Sequence, residues 1–389
     1  MNPFRPGAGR RPPLLAGRAD VLAGFDVLRR RAEELGEGDR GWVLNGLRGV
    51  GKTVLLNALL AQVSDRGWIT AKVEAGQQGE LGVALARALV RGMRTATGRH
   101  PEGRLRRLMG VFSAFSVTVD PAGSVALGAD VEAVAGVADS GRFADDLTAL
   151  FEVLGETARD LGVGVLILVD ELQEATPAEL VAVNTAVHQL GQSEVALPLV
   201  FVGAGLPSLP AQLAEATSYA ERLYDYRSVG LLDEDAARAA LSEPARQLGV
   251  RWASDALKLA AEHAQGYPYL LQAIGKHVWD YAAAGALIDI HDVQVGLVQA
   301  RREVDDGLYR SRWERATPAQ QALLRAVATL GGGGDAATAD LVLALGRRRA
   351  SDLSVARDEL IRKGLLYAPV RGRLAFTVPG MHTYVGHQP

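Results

Sequence analysis

The sequence predicts an α/β protein with a parallel sheet, a small helical domain and a C-terminal winged helix-turn-helix. In residues 1–230, short apolar runs of strand length alternate with longer helical patterns, which is typical of a parallel sheet with helices on both faces. Residues 231–311 are helical in pattern throughout, whereas residues 312–389 combine three short helical segments with two strand-like segments. A chain of 389 residues is long enough for these three domains.

The composition excludes several classes of protein and site. Hydrophobic residues at 48% and charged residues at 22% argue against a disordered, fibrous or coiled-coil chain. The absence of cysteine excludes disulfides, thiolate zinc sites and a cysteine nucleophile, and it fits a reducing cytoplasm. The net charge of −3 argues against overall electrostatic binding to nucleic acid or membranes. The longest uncharged apolar stretch, around residues 163–169, is too short to span a bilayer, so we expect a cytoplasmic protein without a membrane partner.

The elements of the first domain follow from its apolar runs. Five short runs predict strands at residues 42–45, 68–73, 165–169, 199–202 and 223–229. Helical spacing of apolar residues predicts helices over residues 53–63, 80–95 and 143–161. Near residues 110–130, alternating segments at 115–119 and 124–127 flank the turn-forming sequence Asp-Pro-Ala-Gly, so we expect a β-hairpin insertion there.

The second and third domains differ in their element patterns. Asp233 is predicted to cap a helix that ends near residue 248, and further helices are expected over residues 254–264, 269–283 and 291–304. Residues 312–317 form a polar joint. Thr317 and Gln320 then make a capping box that starts a helix. Two more helices and two strands are expected at residues 337–345, 351–363, 365–370 and 373–378, which is the order of a winged helix-turn-helix.

The segment between the first strand and the first helix has the spacing of a phosphate-binding loop. Its sequence, Gly46-Leu47-Arg48-Gly49-Val50-Gly51-Lys52-Thr53, satisfies G-x-x-x-x-G-K-[ST]. Glycines let the backbone amides wrap a phosphate, the lysine contacts the terminal phosphates, and the threonine hydroxyl is a ligand for Mg²⁺. The sequence therefore predicts a P-loop site for ATP and Mg²⁺, formed by Gly46, Gly49, Val50, Gly51, Lys52 and Thr53.

Two acidic residues follow the third predicted strand. Asp170 and Glu171 come directly after the apolar run at residues 165–169, so they lie at the carboxyl edge of the sheet, where ligands of parallel sheets bind. Asp170 is expected to hold Mg²⁺, and Glu171 to orient or activate the attacking water.

In these motifs, the chain from about residue 13 to 384 resembles the AAA+ and STAND classes of P-loop ATPases. Within them it is similar to bacterial relatives of archaeal origin-recognition initiators. The resemblance implies that residues 11–18 line an adenine pocket and that residues 231–311 form a lid. It also implies that Arg222 is offered to the γ-phosphate, often of a neighbouring subunit, in a nucleotide-dependent homo-oligomer. On sequence grounds alone, Arg222 is equally compatible with a salt-bridged surface residue.

Two departures from the AAA+ pattern predict slow hydrolysis. The fourth strand ends in Gly203-Ala204-Gly205, where the pattern has a polar sensor side chain. The second sensor arginine is replaced by Gly266-Tyr267-Pro268, which is similar to the element through which STAND switches contact nucleotide, and which is also an ordinary helix break. Because such sites act mainly by orienting water and neutralising charge, we expect a nucleotide-gated switch more than a fast motor.

The C-terminal segment is basic, with ten basic and six acidic residues over residues 314–389. This charge predicts contact with duplex DNA through residues 347–373, with the third helix in the major groove and the wing arginines at the backbone. The alternative is a signalling-type STAND switch, in which the winged helix binds a protein or the lid. Asp352, Asp358 and Glu359 on the same helix favour that alternative.

Overall fold

The computed structural model describes residues 1–7, 9–76, 79–97, 102–119, 137–282 and 285–388. The first part of the chain contains eight α-helices, one short 3₁₀-helix (Leu172–Glu174) and five strands within these ranges; the α-helices and strands are numbered here. In chain order they are α1 (Ala19–Leu35), β1 (Gly41–Asn45), α2 (Lys52–Val63), β2 (Ile69–Glu74), α3 (Leu81–Thr97), α4 (Glu102–Val119), α5 (Phe143–Leu161), β3 (Val165–Asp170), α6 (Pro177–Gln192), β4 (Leu199–Gly205), α7 (Leu209–Ala216), α8 (Ala220–Leu223) and β5 (Tyr224–Ser228).

The five strands form one parallel sheet in the order β2-β3-β4-β1-β5. Every residue of β3 and β4 is buried, because helices cover both faces of a parallel sheet. The register pairs Asn45 of β1 with Gly205 of β4, and Val169 of β3 with Gly203 of β4. The carboxyl ends of β1, β3 and β4 therefore meet at one edge, which is where the predicted site residues lie.

The predicted hairpin insertion is wrong in its first strand. Residues 115–119 belong to α4, and the second half of the expected hairpin lies outside the described residues. Leu108, Val111, Phe112 and Phe115 are all fully buried, and their spacing of three, four and seven residues is that of one helix face. The alternation of apolar residues at 115–119, which predicted a strand, is thus part of the longer helical pattern of α4.

The second part of the chain is helical, as predicted. Its elements are α9 (Glu234–Gln247), β6 (Arg251–Trp252), α10 (Ser254–Ala264), α11 (Pro268–Tyr281), β7 (Leu287–Ile288) and α12 (Ile290–Val304). The Asp233 side chain caps α9 by accepting from the Ala236 amide at 2.7 Å. The N-terminus of the chain joins this unit, since Phe4 is buried in its core with its ring 6.3 Å from that of Trp279.

The joint between the second and third parts, expected as a polar joint at residues 312–317, is helical as far as Glu314. A π-helical segment, Asp305–Arg310, continues α12 and leads into α13 (Ser311–Glu314). Trp313 is buried, and the Arg325 guanidinium lies 5.2 Å from the centre of its ring. Burial of this indole fixes the joint as ordered helix.

The C-terminal part has the element order expected of a winged helix-turn-helix. Its elements are α14 (Pro318–Gly331), β8 (Asp335–Ala337), α15 (Thr338–Ala344), α16 (Ser354–Arg362), β9 (Leu366–Tyr367), β10 (Arg373–Phe376) and α17 (Met381–Gly386). The strands form an antiparallel sheet in the order β8-β10-β9. Thr317 and Gln320 make the predicted capping box. Strand β8 and helix α17 were not expected from the sequence.

Two buried cores organise the described chain. One belongs to the sheet and its helices. The other runs without a break from the helical unit through the joint into the C-terminal unit. Tyr309 links these last two units, because its hydroxyl donates to the Pro379 carbonyl at 2.7 Å and its ring lies 5.6 Å from that of Tyr384. In the described part of the chain, none of the helices has the length and apolar character required to cross a membrane.

Candidate nucleotide-binding site

The glycines of the phosphate-binding loop are required by its shape. A Cβ at Gly46 would lie 2.1 Å from the Val229 carbonyl oxygen, and one at Gly49 would lie 2.1 Å from the Tyr267 hydroxyl. Gly49 and Gly51 have φ values of +79° and +98°, in the region that L side chains rarely adopt. The loop thus runs tightly between β1 and the N-terminus of α2, where free amides and the helix dipole favour an anion.

An open cavity of about 310 Å³ lies above this loop. The parts of the chain that line it include the loop itself, the N-terminal segment, the start of α11, and the joint with the C-terminal unit. Leu14 and Leu15 in the N-terminal segment, with Leu232 and Leu271, provide apolar surface. Lys52, Thr53 and Glu171 provide polar groups. A cavity lined by both apolar and polar groups suits a nucleotide, which has a flat base and charged phosphates.

Lys52 is a buried cation at the end of this loop. The residue is 5% exposed, and its Nζ donates to the carbonyl oxygens of Gly46 and Leu47 at 2.8 Å each. Burial lowers its pKa to about 8, and the nearby carboxylates of Glu171 and Asp170 only partly oppose this effect. Among the described residues it forms no ion pair, so its charge lacks a direct partner.

Thr53 and Asp170 meet at the edge of the sheet. The Thr53 hydroxyl donates to Asp170 Oδ2 at 2.6 Å, and the carboxylate also accepts from the Glu171 amide at 3.0 Å. Both side chains offer the oxygen ligands that Mg²⁺ prefers. Within the described ranges, no group of three or more acidic, histidine or cysteine residues forms a metal cage. This donor set fits Mg²⁺, which is usually held by one or two protein ligands together with water and phosphate oxygens.

Glu171 lies beside the same cavity but is engaged by two other side chains. Gln173 Nε2 donates to Glu171 Oε2 at 2.5 Å, and Arg48 Nη2 lies 3.5 Å from the same oxygen. Arg48 also lies 3.7 Å from Glu174. Gln173 Oε1 in turn accepts from the Leu206 amide at 3.0 Å. Because this carboxylate oxygen is already hydrogen-bonded to an amide and faced by a guanidinium, water would have to displace these partners to reach it, so this arrangement disfavours water activation.

Pro268 is the first residue of α11 and lines the cavity next to Tyr267. Tyr267 is 3% exposed, and burial raises the pKa of its phenol above its ordinary range. Because its hydroxyl occupies the space above Gly49, the Gly266-Tyr267-Pro268 segment lies directly against the phosphate-binding loop.

Arg222 is not part of this cavity. It is exposed on α8, just before β5 begins, and so lies at the amino edge of the sheet. There it lines a second open cleft of about 500 Å³ together with Arg40 and His188. The phosphate-binding loop follows the opposite, carboxyl edge, so Arg222 cannot reach the cavity of its own chain.

Arg18 belongs to the segment 11–18 that was expected to line an adenine pocket. Its Nη2 donates to the carbonyls of Val50 at 3.1 Å and Gly230 at 2.6 Å, which ties the loop to the chain after β5. Three residues that sequence reasoning did not select lie at or beside the site, namely Arg48, Gln173 and Arg312. Arg48 lies within the phosphate-binding loop, and Gln173 lies two residues after Glu171. The sequence neighbours of the two motifs therefore include both residues. Arg312 is far from every motif in sequence, and only the fold brings it here.

The C-terminal unit touches the phosphate-binding loop. The Arg48 amide donates to the Thr377 carbonyl at 2.9 Å, and Thr377 Oγ1 donates to the Gly364 carbonyl at 2.6 Å. Arg312 Nη1 lies 3.4 Å from the same Gly364 oxygen. Val378 lines the cavity. The C-terminal unit therefore covers one side of the loop that is expected to bind phosphate.

The basic residues of the C-terminal unit differ in their surroundings. Several are paired with acids, namely Arg357 with Asp358 at 2.8 Å, Arg362 with Glu359 at 3.8 Å, and Arg373 with Asp335 at 2.7 Å. Arg347, Arg348, Arg349 and Arg371 are exposed, and none of them forms an ion pair with a carboxylate in the described part of the chain. The free positive charge of this unit is thus concentrated before α16 and at the turn between β9 and β10.

Residues 15–202 match the sequence model of the AAA ATPase domain, and residues 306–385 match a model described only as a domain of unknown function. No curated protein sequence matches the chain. Among solved structures, a Walker-type ATPase of Pyrococcus abyssi is 15% identical with a TM-score of 0.57, and the alignment covers 98% of each chain. The ORC2 protein of Aeropyrum pernix, in its ADPNP-ADP complexes, is also 15% identical with a TM-score of 0.57, covering 97% of this chain and 95% of that one.

At this identity the solved structures establish a shared fold, an α/β domain with a parallel central sheet and helical elements. The sequence match, the glycine-rich loop and the position of Asp170 opposite Thr53 concern the same segment of the chain. Residues 15–202 are therefore an AAA+ P-loop ATPase domain, in a chain that shares its fold with the Walker-type ATPase of Pyrococcus abyssi and the ORC2 protein of Aeropyrum pernix.

Proposed function

We propose that this protein binds ATP with Mg²⁺, hydrolyses it slowly and acts as a nucleotide-gated switch. The main support is a set of cations around one cavity: Lys52, Arg18 and Arg312 line it, and none of the three forms an ion pair with a described carboxylate. Burial lowers the pKa of each. Buried charges normally have a partner of opposite sign, and a polyphosphate would supply it.

Each part of the site has a role in this proposal. The amides of Gly49, Val50 and Gly51 and the Lys52 ammonium bind the phosphates, and Lys52 exchanges its two carbonyl partners for them. Thr53 and Asp170 hold Mg²⁺, which neutralises phosphate charge when it is bound. The apolar N-terminal segment and Pro268 contact the base and sugar side. ATP and the absence of cysteine both fit a cytoplasmic protein.

Slow hydrolysis is proposed because the groups for water activation are engaged or distant. Glu171 is hydrogen-bonded to Gln173 and faced by Arg48, and the end of β4 contributes glycine and alanine only. Arg222 lies at the other edge of the sheet, so it would act on the nucleotide of a neighbouring copy in a homo-oligomer.

Titration calorimetry with ATP and Mg²⁺ tests the site. Lys52→Ala is expected to abolish measurable binding, whereas Glu171→Gln is expected to retain binding and to lose hydrolysis. Lys258→Ala, at an exposed position on α10, is the matched control and should behave as wild type. Normal affinity in the Lys52 variant would exclude this site.

The C-terminal unit is proposed as the moving part of the switch. This unit contacts the phosphate-binding loop through the hydrogen bond from the Arg48 amide to the Thr377 carbonyl. A change in the loop on nucleotide binding would therefore act directly on the C-terminal unit. In the signalling alternative, this contact restrains the protein until a partner binds. Size-exclusion chromatography with ADP and with a non-hydrolysable ATP analogue should then give different elution volumes, and identical profiles would contradict the switch.

A second candidate function of the C-terminal unit is binding to duplex DNA through residues 347–373. The observation in its favour is the exposed, unpaired set Arg347, Arg348, Arg349 and Arg371. Mobility-shift titrations should show binding that weakens steeply with salt, and the triple change of Arg347, Arg348 and Arg349 to alanine should reduce the salt slope by about three. The control is Arg302→Ala on the helical unit. A wild-type protein without salt-dependent binding would exclude this function.

A further inference from the structure

Arg312 is a poorly satisfied, half-buried cation at the nucleotide cavity. It lies on α13 and lines the cavity with Lys52, Thr53 and Glu171. Within the described part of the chain, its one hydrogen bond is the long contact of 3.4 Å to the Gly364 carbonyl. No described carboxylate lies within ion-pair distance of it.

Arg18, which also lines the cavity, differs from Arg312 because its hydrogen bonds give it a structural role. Arg18 donates to three backbone carbonyls, those of Gly17, Val50 and Gly230, at 3.1, 3.1 and 2.6 Å, and so it holds the loop in place. Burial lowers the pKa of both side chains, and for Arg312 the neighbouring Arg48 acts in the same direction. A guanidinium stays charged in proteins, so Arg312 faces the cavity with an uncompensated charge and several unused donors.

The contacts of Arg312 connect the cavity with the C-terminal unit. The Gly364 carbonyl that it approaches also accepts from Thr377 Oγ1 at 2.6 Å. The Thr377 carbonyl accepts from the Arg48 amide in the phosphate-binding loop. One side chain in the joint is thus shared between the space for phosphate and the segment that covers the loop.

We propose that Arg312 contacts the terminal phosphate of a nucleoside triphosphate and thereby distinguishes it from the diphosphate. In doing so Arg312 leaves the Gly364 carbonyl and loosens the C-terminal unit from the phosphate-binding loop. A planar guanidinium forms paired hydrogen bonds with phosphate oxygens, whereas a lone carbonyl offers it one weak contact. The assignment rests on the proposed nucleotide site and names the residue that makes that site sensitive to the third phosphate.

The test compares the affinities of wild type, Arg312→Gln and Arg312→Lys for ADP and for ADPNP, each with Mg²⁺, by titration calorimetry. Arg312→Gln should lose about tenfold or more in affinity for ADPNP and at most about twofold for ADP, because a charge-assisted contact is lost only for the triphosphate. Arg312→Lys, which keeps the charge, should fall between wild type and the glutamine variant. Arg315→Gln, exposed three residues away, is the control and should match wild type.

A second readout follows hydrogen exchange in peptides that cover residues 364–378. ADPNP should speed exchange there in wild type and in Arg315→Gln, and should leave it unchanged in Arg312→Gln. An unchanged ratio of ADPNP to ADP affinity in Arg312→Gln, or an equal loss for both, would overturn the assignment of Arg312 and leave the proposed function standing. A wild-type protein that binds neither nucleotide would overturn both.

Discussion

Lys52 shows how a single buried charge links the site to pH. In the unfolded chain its amine titrates near the ordinary value of 10.5, whereas burial in the folded protein lowers its pKa to about 8. Between these two values the unfolded state binds more protons than the folded state. The contribution of Lys52 to the free energy of unfolding therefore increases as pH rises from about 8 to about 10.5, because the folded protein no longer holds a desolvated cation.

Nucleotide affinity should change with pH in the opposite direction. The phosphates require protonated Lys52, and its protonated fraction in the free protein falls about tenfold between pH 7 and pH 9. We expect the ADPNP affinity, measured by calorimetry, to fall by about that factor. Lys52→Arg remains charged over this range, so it should bind more weakly at every pH but with a flatter profile. A constant wild-type affinity from pH 7 to pH 9 would contradict this interpretation.

The motif residues could be predicted from the sequence, and their neighbours could not. The phosphate-binding loop is continuous in the chain, and Asp170 follows an apolar strand, so local pattern was enough to find both. Arg312 is separated from Lys52 by 260 residues and reaches it only because the C-terminal unit folds back onto the loop. Such proximity depends on tertiary packing, which leaves no periodicity or spacing in the sequence.

At the scale of elements, the sequence predicted the strands of the parallel sheet correctly, but it did not predict β8 and it misassigned residues 115–119. All five strands of the parallel sheet were predicted; β3 and β4 are apolar runs of strand length, whereas β5 is largely polar. Strand β8 has three residues and pairs with β10 through positions such as Ala336 and Leu374. Its sequence is not apolar, so the partner strand determines its conformation. The misassigned segment 115–119 alternated over too few residues to distinguish a strand from the end of α4.

Helix α6 depends on one buried carboxylate. Glu179 is 5% exposed; its Oε2 accepts from the amide and hydroxyl of Thr176 at 2.8 and 3.0 Å, and its Oε1 accepts from the Leu81 amide at 2.7 Å. It therefore closes the capping box of α6 and also holds the start of α3.

Glu179→Ala should lower the free energy of unfolding by about 2–4 kcal/mol, because it leaves buried donors without acceptors. Chemical denaturation followed by circular dichroism measures this change. Glu215→Ala, exposed on α7, serves as the control and should stay within about 0.5 kcal/mol of wild type. Equal, small effects of the two substitutions would show that the Glu179 contacts do not stabilise the fold.

At the scale of the molecule, the described chain has two cores where the sequence suggested three domains. The helical unit, the joint and the C-terminal unit share one buried cluster that includes Tyr309 and Trp313. A predicted boundary at residues 311–312 thus falls inside a helical joint. The change in sequence pattern at this point marks a change of element type, while the apolar side chains of both segments pack together.

Two cores predict two cooperative transitions in scanning calorimetry, because residues that share a core unfold together. Trp313→Ala should lower the transition temperature of the unit formed by the helical and C-terminal parts, with little effect on that of the sheet. Trp68→Ala, in the first core, should do the reverse. Three separate transitions would contradict this arrangement.

The path of the N-terminal segment limits how far the two cores can separate. Phe4 is anchored in the second core, and Arg18 is anchored on the phosphate-binding loop beside the first. The residues between these anchors behave as a tether whose fully extended reach is about 3.3–3.6 Å per residue, or roughly 45–50 Å. If the two cores move apart to admit or release a ligand, the extended length of this segment limits the distance between them. Shortening it by a few residues should therefore restrict this opening, and it would also remove side chains that line the cavity.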